Sequence, residues 1–174
     1  ALQTGPLIYE DAAFAIGRDM YGLDVERLER EGVVIRAGLT PTDIMHLKGD
    51  FNAFDREAAH LGAQFVAGSA GMSVEALCDW VYGEIKRKLY LSVAGMLIRE
   101  AMPGFHKTGI GGKLTAFLNR AWEMSRKEEG GTRFQIATSS ALVGVGAPIH
   151  LFLPDVARAL GAACVVPELA GVAN

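Results

Sequence analysis

Cysteine is scarce in this chain: two of its 174 residues, Cys78 and Cys164. They lie far apart and form no CxxC pair, which excludes a thiolate metal site or a redox dithiol and leaves two buried thiols as the expectation. An excess of charge of one sign is also missing. Seventeen Lys and Arg stand against twenty Asp and Glu, a net charge of −3, so nothing in the overall balance points to nucleic acid or to an anionic membrane surface. Long apolar runs are absent as well, because charges interrupt each one before it reaches membrane-spanning length. Residues 1–7 have neither a basic n-region nor an apolar core, so no signal peptide is expected. Internal repeats and low-complexity segments are lacking too. The expected location is the cytoplasm.

What is present is an ordinary globular composition, 50% apolar and 21% charged. That suffices for one domain, or for one large domain with a small subdomain. The chain starts without Met and stops in what reads as the first turn of a helix, so the expectation is a piece of a longer protein.

The order of elements reads as helix-rich first and mixed later. Helices are expected over residues 9–21 and 24–31, the second capped by Asp24 and ended by Gly32. Val33, Val34 and Ile35 then read as a short strand. Thr40-Pro41-Thr42-Asp43 is a helix start, with a capping Thr, Pro at the first position and an acid in the first turn. This helix runs to Gly49. Another is expected over 53–67, with Phe54, Ala58, Leu61 and Phe65 on one face. Ser73 caps the longest helix, whose stripe is Val74, Leu77, Val81, Ile85 and Leu89 and which Pro103-Gly104 stops. At about 30 residues it would span roughly 45 Å. Residues 112–126 carry a stripe of Leu114, Phe117, Leu118, Ala121 and Trp122. Trp80 and Trp122 read as core. Lys86-Arg87-Lys88 reads as a solvated face. Phe134 to Ala137 reads as a strand.

The tail, residues 141–174, is the most informative stretch. A short apolar run meets Gly144-Val145-Gly146-Ala147-Pro148. A helix follows, with Pro154 in its first turn, and then a second apolar run ending Val165-Val166-Pro167-Glu168. Strand, glycine loop, helix and strand in about 30 residues is the kind of unit that brings backbone close to a nucleotide. On pattern alone the glycines serve equally as a ligand loop or as a strand-to-helix corner.

Two segments carry a resemblance to a known family. One is the tail just quoted, with Leu153-Pro154 and Val172-Ala173-Asn174. The other runs from Glu31 through Gly38-Leu39-Thr40-Pro41-Thr42-Asp43-Ile44-Met45-His46, extended by Asp55-Arg56-Glu57-Ala58-Ala59 and Leu61-Gly62-Ala63. In this order they resemble the ATP-handling subunit of the hydantoinase/oxoprolinase family, near its C-terminal end. The resemblance implies an α/β fold: a helix-rich module followed by a small β-β-α-β-α half of an actin/sugar-kinase-like ATPase domain. The helical module would be residues 1–70 and the nucleotide-side subdomain residues 71–174. It also implies an ATP-dependent hydrolase of cyclic amides, in which ATP phosphorylates the amide oxygen and water opens the ring. Gly144, Val145, Gly146 and Ala147 would line the adenosine. ATP and Mg are the implied cofactors, with a small cyclic amide as substrate and a second subunit as a further partner.

The family's Asp-x-Gly-Gly-Thr phosphate and metal loops do not occur in this sequence. Thr108-Gly109-Ile110-Gly111-Gly112-Lys113 lacks the Asp. It also fails as a Walker loop, because Lys107 stands where Gly is needed and Leu114 where Ser or Thr is needed; it reads as a loop leading into the next helix. Catalytic residues and metal ligands are therefore unassigned, and this piece alone would be inactive. Asp43 and His46, three apart on one helix face, are candidates for a substrate or metal side, or else a capping acid and a half-buried histidine. His60, His106 and His150 lack ligand-like spacing, and His150 reads as a surface residue at a helix start. The alternative is a non-catalytic nucleotide-binding module, or a winged-helix-like regulatory module near the N-terminus. Residues 1–50 hold nine acids against five bases, the wrong sign for binding phosphate.

Overall fold

The computed structural model describes residues 7–104, 111–126 and 134–172. It is mostly helical, with seven α-helices and one two-stranded parallel sheet among the described residues. The chain forms two compact units, divided between Thr40 and Pro41.

The first unit holds α1 (Tyr9–Ala15), a 3-10 turn (Met20–Gly22) and α2 (Val25–Arg30). The single helix expected over 9–21 is cut short. Gly17 adopts φ +66°, and the Gly17 and Arg18 N–H groups donate back to the carbonyls of Phe14 and Ala13, which closes α1 with a left-handed C-terminal turn. Asp24 caps α2 by accepting from the Arg27 N–H at 2.9 Å, as its place in the sequence predicts. Val33, Val34 and Ile35 do not form the expected strand. The Val33 and Val34 amides turn back to the Leu28 carbonyl, so no ladder starts there, and the winged-helix reading loses its wing. Phe14, Tyr21 and Ile35 are largely exposed.

The second unit opens with α3 (Pro41–Lys48) and α4 (Arg56–Ala70), which pack on the N-terminal half of α5 (Val74–Ala101). Helix α4 starts later than residue 53 because Asp55 is its cap, accepting from the Glu57 and Ala58 amides. Ser73 caps α5 through the Ala76 N–H, and Gly71 at φ +66° makes the turn between them. The buried face of α4 is Ala59, Ala63 and Ala67, not the Phe54, Leu61 and Phe65 face. Alanines let α4 approach its neighbours closely, and the bulky stripe points outward.

The C-terminal half of α5 packs against α6 (Gly111–Ser125) and α7 (Ile149–Ala159). Tyr90 and Ala94 of α5, Leu118, Ala121 and Trp122 of α6, and Val156, Ala159 and Leu160 at the end of α7 form the core. Trp122 is core as expected. Trp80 is 59% exposed, because it falls on the opposite side of α5 from the buried Leu77, Cys78 and Tyr82. Lys86 and Arg87 are not a solvated face. Lys86 donates to Asp155 of α7 at 2.5 Å, and Arg87 bonds Glu84 and Asn119 of α6. Both therefore fasten α5 to its neighbours, and Lys88 alone of the three is exposed. Cys78 is buried but Cys164 is exposed, and both are free thiols.

The tail folds as its pattern predicts. β1 (Leu142–Val143) and β2 (Cys164–Val165) pair in parallel, Leu142 opposite Cys164 and Val143 opposite Val165, with α7 as the crossover. Residues 134–137 are not a strand; Ile136 instead packs its side chain on the core. Helix α7 begins at Ile149, five residues before Pro154, so Pro154 lies inside it. Burial of Phe152 and Leu153 draws the preceding turn into the helix. The glycine-rich approach to α6 and His106 lie mainly outside the described residues. No described helix is long and apolar enough to cross a membrane.

Candidate functional site

Gly144 and Gly146 do different work in the corner between β1 and α7. Gly144 is buried, and its N–H donates to the Val165 carbonyl at 2.9 Å, extending the ladder. A Cβ on Gly144 would meet Leu153 Cδ2 at 2.7 Å and Ile149 Cγ1 at 2.9 Å. This glycine therefore lets α7 pack on the strand. Gly146 has φ +114°, a backbone region that disfavours any side chain, and its Cα faces open space. Its N–H donates to the Ala170 carbonyl at 2.8 Å, and Gly171 lies against Ala147. The C-terminal 3-10 turn (Ala170–Val172) thus braces the loop from behind. Val145 and Ala147 are exposed, and among the described residues their N–H groups donate to no other group of the chain.

Beside this corner lies a cleft of about 380 Å³. Pro41, Thr42 and Met45 line it from α3. Asp50 and Phe51 come from the following loop, Ile85 from α5, and Ala147, Pro148, His150 and Phe152 from the tail. Its walls are mostly apolar, with Thr42, Asp50 and His150 as polar points. The Asp50 carboxylate accepts from the Tyr82 hydroxyl at 2.7 Å. Burial, reinforced by that bond to Asp50, holds Tyr82 protonated well above the ordinary phenol range. Lys48 sits 5.2 Å from the centre of the Tyr82 ring and pairs with Asp79 at 2.7 Å, a bond that raises its own pKa. One turn further along α5, the Lys86 bond depresses the Asp155 carboxyl.

The two motifs singled out in the sequence therefore meet, though not through all the residues expected. Helix α3 offers Pro41, Thr42 and Met45 to the cleft and the corner offers Ala147 and Pro148, whereas Asp43, His46, Gly144, Val145 and Gly146 are not in its lining. His46 is 1% exposed. Its Nδ1 lies 2.7 Å from the Thr42 carbonyl, and its Nε2 accepts from the Phe54 N–H at 2.8 Å. A carbonyl only accepts and an amide N–H only donates, so the ring is the neutral Nδ1–H tautomer with both nitrogens engaged. Phe51 packs edge-on and Phe54 stacked against it, at centroid distances of 5.1 and 5.7 Å. His46 is a structural pin that ties the loop after α3 back onto the helix. Among the described residues no three His, Cys, Asp or Glu side chains cluster to hold a metal. His150 is exposed, its Nδ1 3.0 Å from the Ala147 carbonyl, at a helix start as expected.

Met45, Phe51 and Phe152 were not foreseen as cleft residues. The sequence marks them as apolar, and only the packing of α3 and α7 on α5 shows which space they face. A wider, shallower depression of about 780 Å³ lies elsewhere in the second unit, lined by Lys48, Arg56, Glu57, His60, Glu75 and Asp79 with Leu47, Val74 and Cys78. Comparison with protein-family models, with curated proteins and with solved structures gives no match.

Proposed function

We propose that this chain supplies the adenosine side of the nucleotide site in an ATP-dependent cyclic-amide hydrolase of the hydantoinase/oxoprolinase type. The fold counterpart of this reading is half of an actin/sugar-kinase-like ATPase domain. One observation carries it: Ala147 and Pro148 of the glycine corner and Pro41 and Thr42 of the Thr-Pro-Thr-Asp helix start, which belong to the two carriers of the resemblance, line a single cleft. The chemistry of that cleft suits a nucleoside. A volume of about 380 Å³ lies at the small end of ligand sites. Apolar side chains offer a flat base two faces, and Thr42, Asp50 and His150 offer hydrogen bonds at its rim. Helix α7 starts at the cleft with no side-chain cap and no acid in its first turn, so its positive end is left for an anionic or polar group.

The phosphate and metal loops that such a reaction needs have no counterpart in this sequence. In this reading they come from other sequence that closes over the cleft, and ATP and Mg are held jointly. The test has two arms. Calorimetric titration of this chain with ATP is expected to show weak, saturable binding that Gly146→Val reduces about tenfold or more, since a branched side chain at φ +114° must move the loop. The chain joined to sequence bearing an Asp-x-Gly-Gly-Thr loop is expected to hydrolyse hydantoin or 5-oxoproline only when ATP is present. Absence of ATP binding in both forms contradicts the adenosine assignment. Binding without turnover favours a non-catalytic nucleotide-binding module.

A further inference from the structure

Among the polar points of the mostly apolar cleft, Asp50 is held from below by the protein. It follows α3 at the turn where Gly49 takes φ +81°. Its N–H donates to the Met45 carbonyl at 3.0 Å, and its Oδ2 accepts from the Tyr82 hydroxyl at 2.7 Å. Tyr82 is itself fixed: it is buried on α5, and Phe152 packs edge-on against its ring at a centroid distance of 5.1 Å. A fixed phenol thus orients the carboxylate at the wall of the cleft. The second oxygen of Asp50, Oδ1, accepts from no group among the described residues. His150 adds another acceptor. Its Nδ1 lies 3.0 Å from the Ala147 carbonyl, which only accepts, so Nδ1 carries the proton and the neutral ring keeps a lone pair on Nε2.

We infer that Asp50 is the specificity-determining residue of this cleft, accepting a hydrogen bond from a donor group of the bound nucleoside and so selecting ligands that carry one. The inference rests on the nucleotide reading and adds to it the residue that selects. A ligand that fills a cleft of about 380 Å³ lined by Met45, Phe51, Ile85 and Phe152 takes water away from Asp50. A carboxylate stripped of water without a new donor is costly. A ligand that brings an O–H or N–H to Oδ1 replaces the lost water with a charge-assisted bond. A carbonyl or phosphate oxygen placed there meets repulsion, so the phosphates of a nucleotide lie away from Asp50. Adenosine has donors of the right kind in two places, the ribose hydroxyls and the amine of the base. Their chemistry toward a carboxylate is the same, and ligand analogues separate them.

The experiment is titration of the whole chain, followed by NMR, with adenosine, with dideoxyadenosine, which lacks the ribose hydroxyls, and with purine riboside, which lacks the amine. One of the two analogues should bind at least about tenfold more weakly than adenosine, and which one it is names the donor that Asp50 receives. In Asp50→Asn the amide oxygen is needed by the Tyr82 hydroxyl, so the amide N–H₂ replaces the free acceptor. The preference should then fall to within about twofold, through weaker adenosine binding and an unchanged affinity for that analogue. Asp50→Ala should do the same, and circular dichroism should report an unchanged fold for both. Tyr82→Phe keeps the carboxylate but removes its anchor, and should shrink the preference without abolishing it. Adenosine binding with a preference that both Asp50 variants retain, or with no preference over either analogue, overturns the inference and leaves the nucleotide reading standing. Failure of all three ligands to bind contradicts the nucleotide reading itself, and the inference with it.

Discussion

Replacing His46 with Ala tests the assignment of this residue as a structural pin rather than a ligand. The ring is buried and makes two hydrogen bonds, to the Thr42 carbonyl and from the Phe54 N–H. Thr42 lies within α3, so its carbonyl keeps its helical role when the ring is removed. The Phe54 amide loses its acceptor, at a cost of about 1–3 kcal/mol if the loop stays in place. Loss of packing against Phe51 and Phe54 adds about 1–2 kcal/mol. The expected total is roughly 2–5 kcal/mol, measured as a lowered urea midpoint at unchanged slope. For a chain of this size that is a fall in Tm of roughly 5–15 °C. In the unaltered protein, nitrogen-15 NMR should show one protonated and one unprotonated ring nitrogen for His46, and zinc should move neither. A loss below about 1 kcal/mol, or a ring resonance that responds to zinc, would refute the pin.

Three further outcomes follow from the same geometry. Gly144→Ala should destabilise by about 1–3 kcal/mol through overpacking against Leu153 and Ile149. Gly146→Ala should cost about 1–2 kcal/mol through backbone strain alone, and denaturant melts of each variant check both. The Asp155 carboxyl is depressed mainly by its bond to Lys86, so its contribution is present above the ordinary aspartate pKa and is lost as pH falls below it. Asp155→Asn should remove about 0.5–1 kcal/mol at neutral pH, discounted for partial exposure, and should flatten the acid limb of a stability-versus-pH curve. Tyr82 is raised, so its contribution is present below the ordinary phenol pKa and is lost as pH climbs above it. Burial raises Tyr90 as well, so absorbance titration should show a late-ionising step that Tyr82→Phe reduces and does not abolish.

The parts of the fold that were legible in the sequence are those decided locally. Asp24 and Ser73 each cap the helix they precede, and Gly32 and Gly71 end helices through left-handed turns. The β-α-β tail was readable because its corner glycines and short apolar runs specify one another. What was not legible depended on partners distant in sequence. Which side of α4 turns inward is decided by how closely α3 and α5 approach, which favours Ala63 over Phe65. Val33–Ile35 has the composition of a strand but, among the described residues, no neighbouring strand to pair with. In the candidate site, the glycine corner was readable and its two glycines were not separable. Only the distances from Gly144 to Leu153 and Ile149 show that one serves packing while the other shapes the loop. The spacing of Asp43 and His46 suggested a ligand pair, but hydrogen bonds to Thr42 and Phe54 had already engaged both ring nitrogens of His46.

The most direct test of the nucleotide reading is amide NMR on the labelled chain during titration with ATP and, separately, adenosine. Shifts should be largest at Thr42, Met45, Gly146, Ala147 and His150, should saturate, and should appear with adenosine alone. The amides around Arg56 and His60 should stay still. No saturable shift, or shifts centred on the Arg56 and His60 depression instead of the glycine corner, would contradict it.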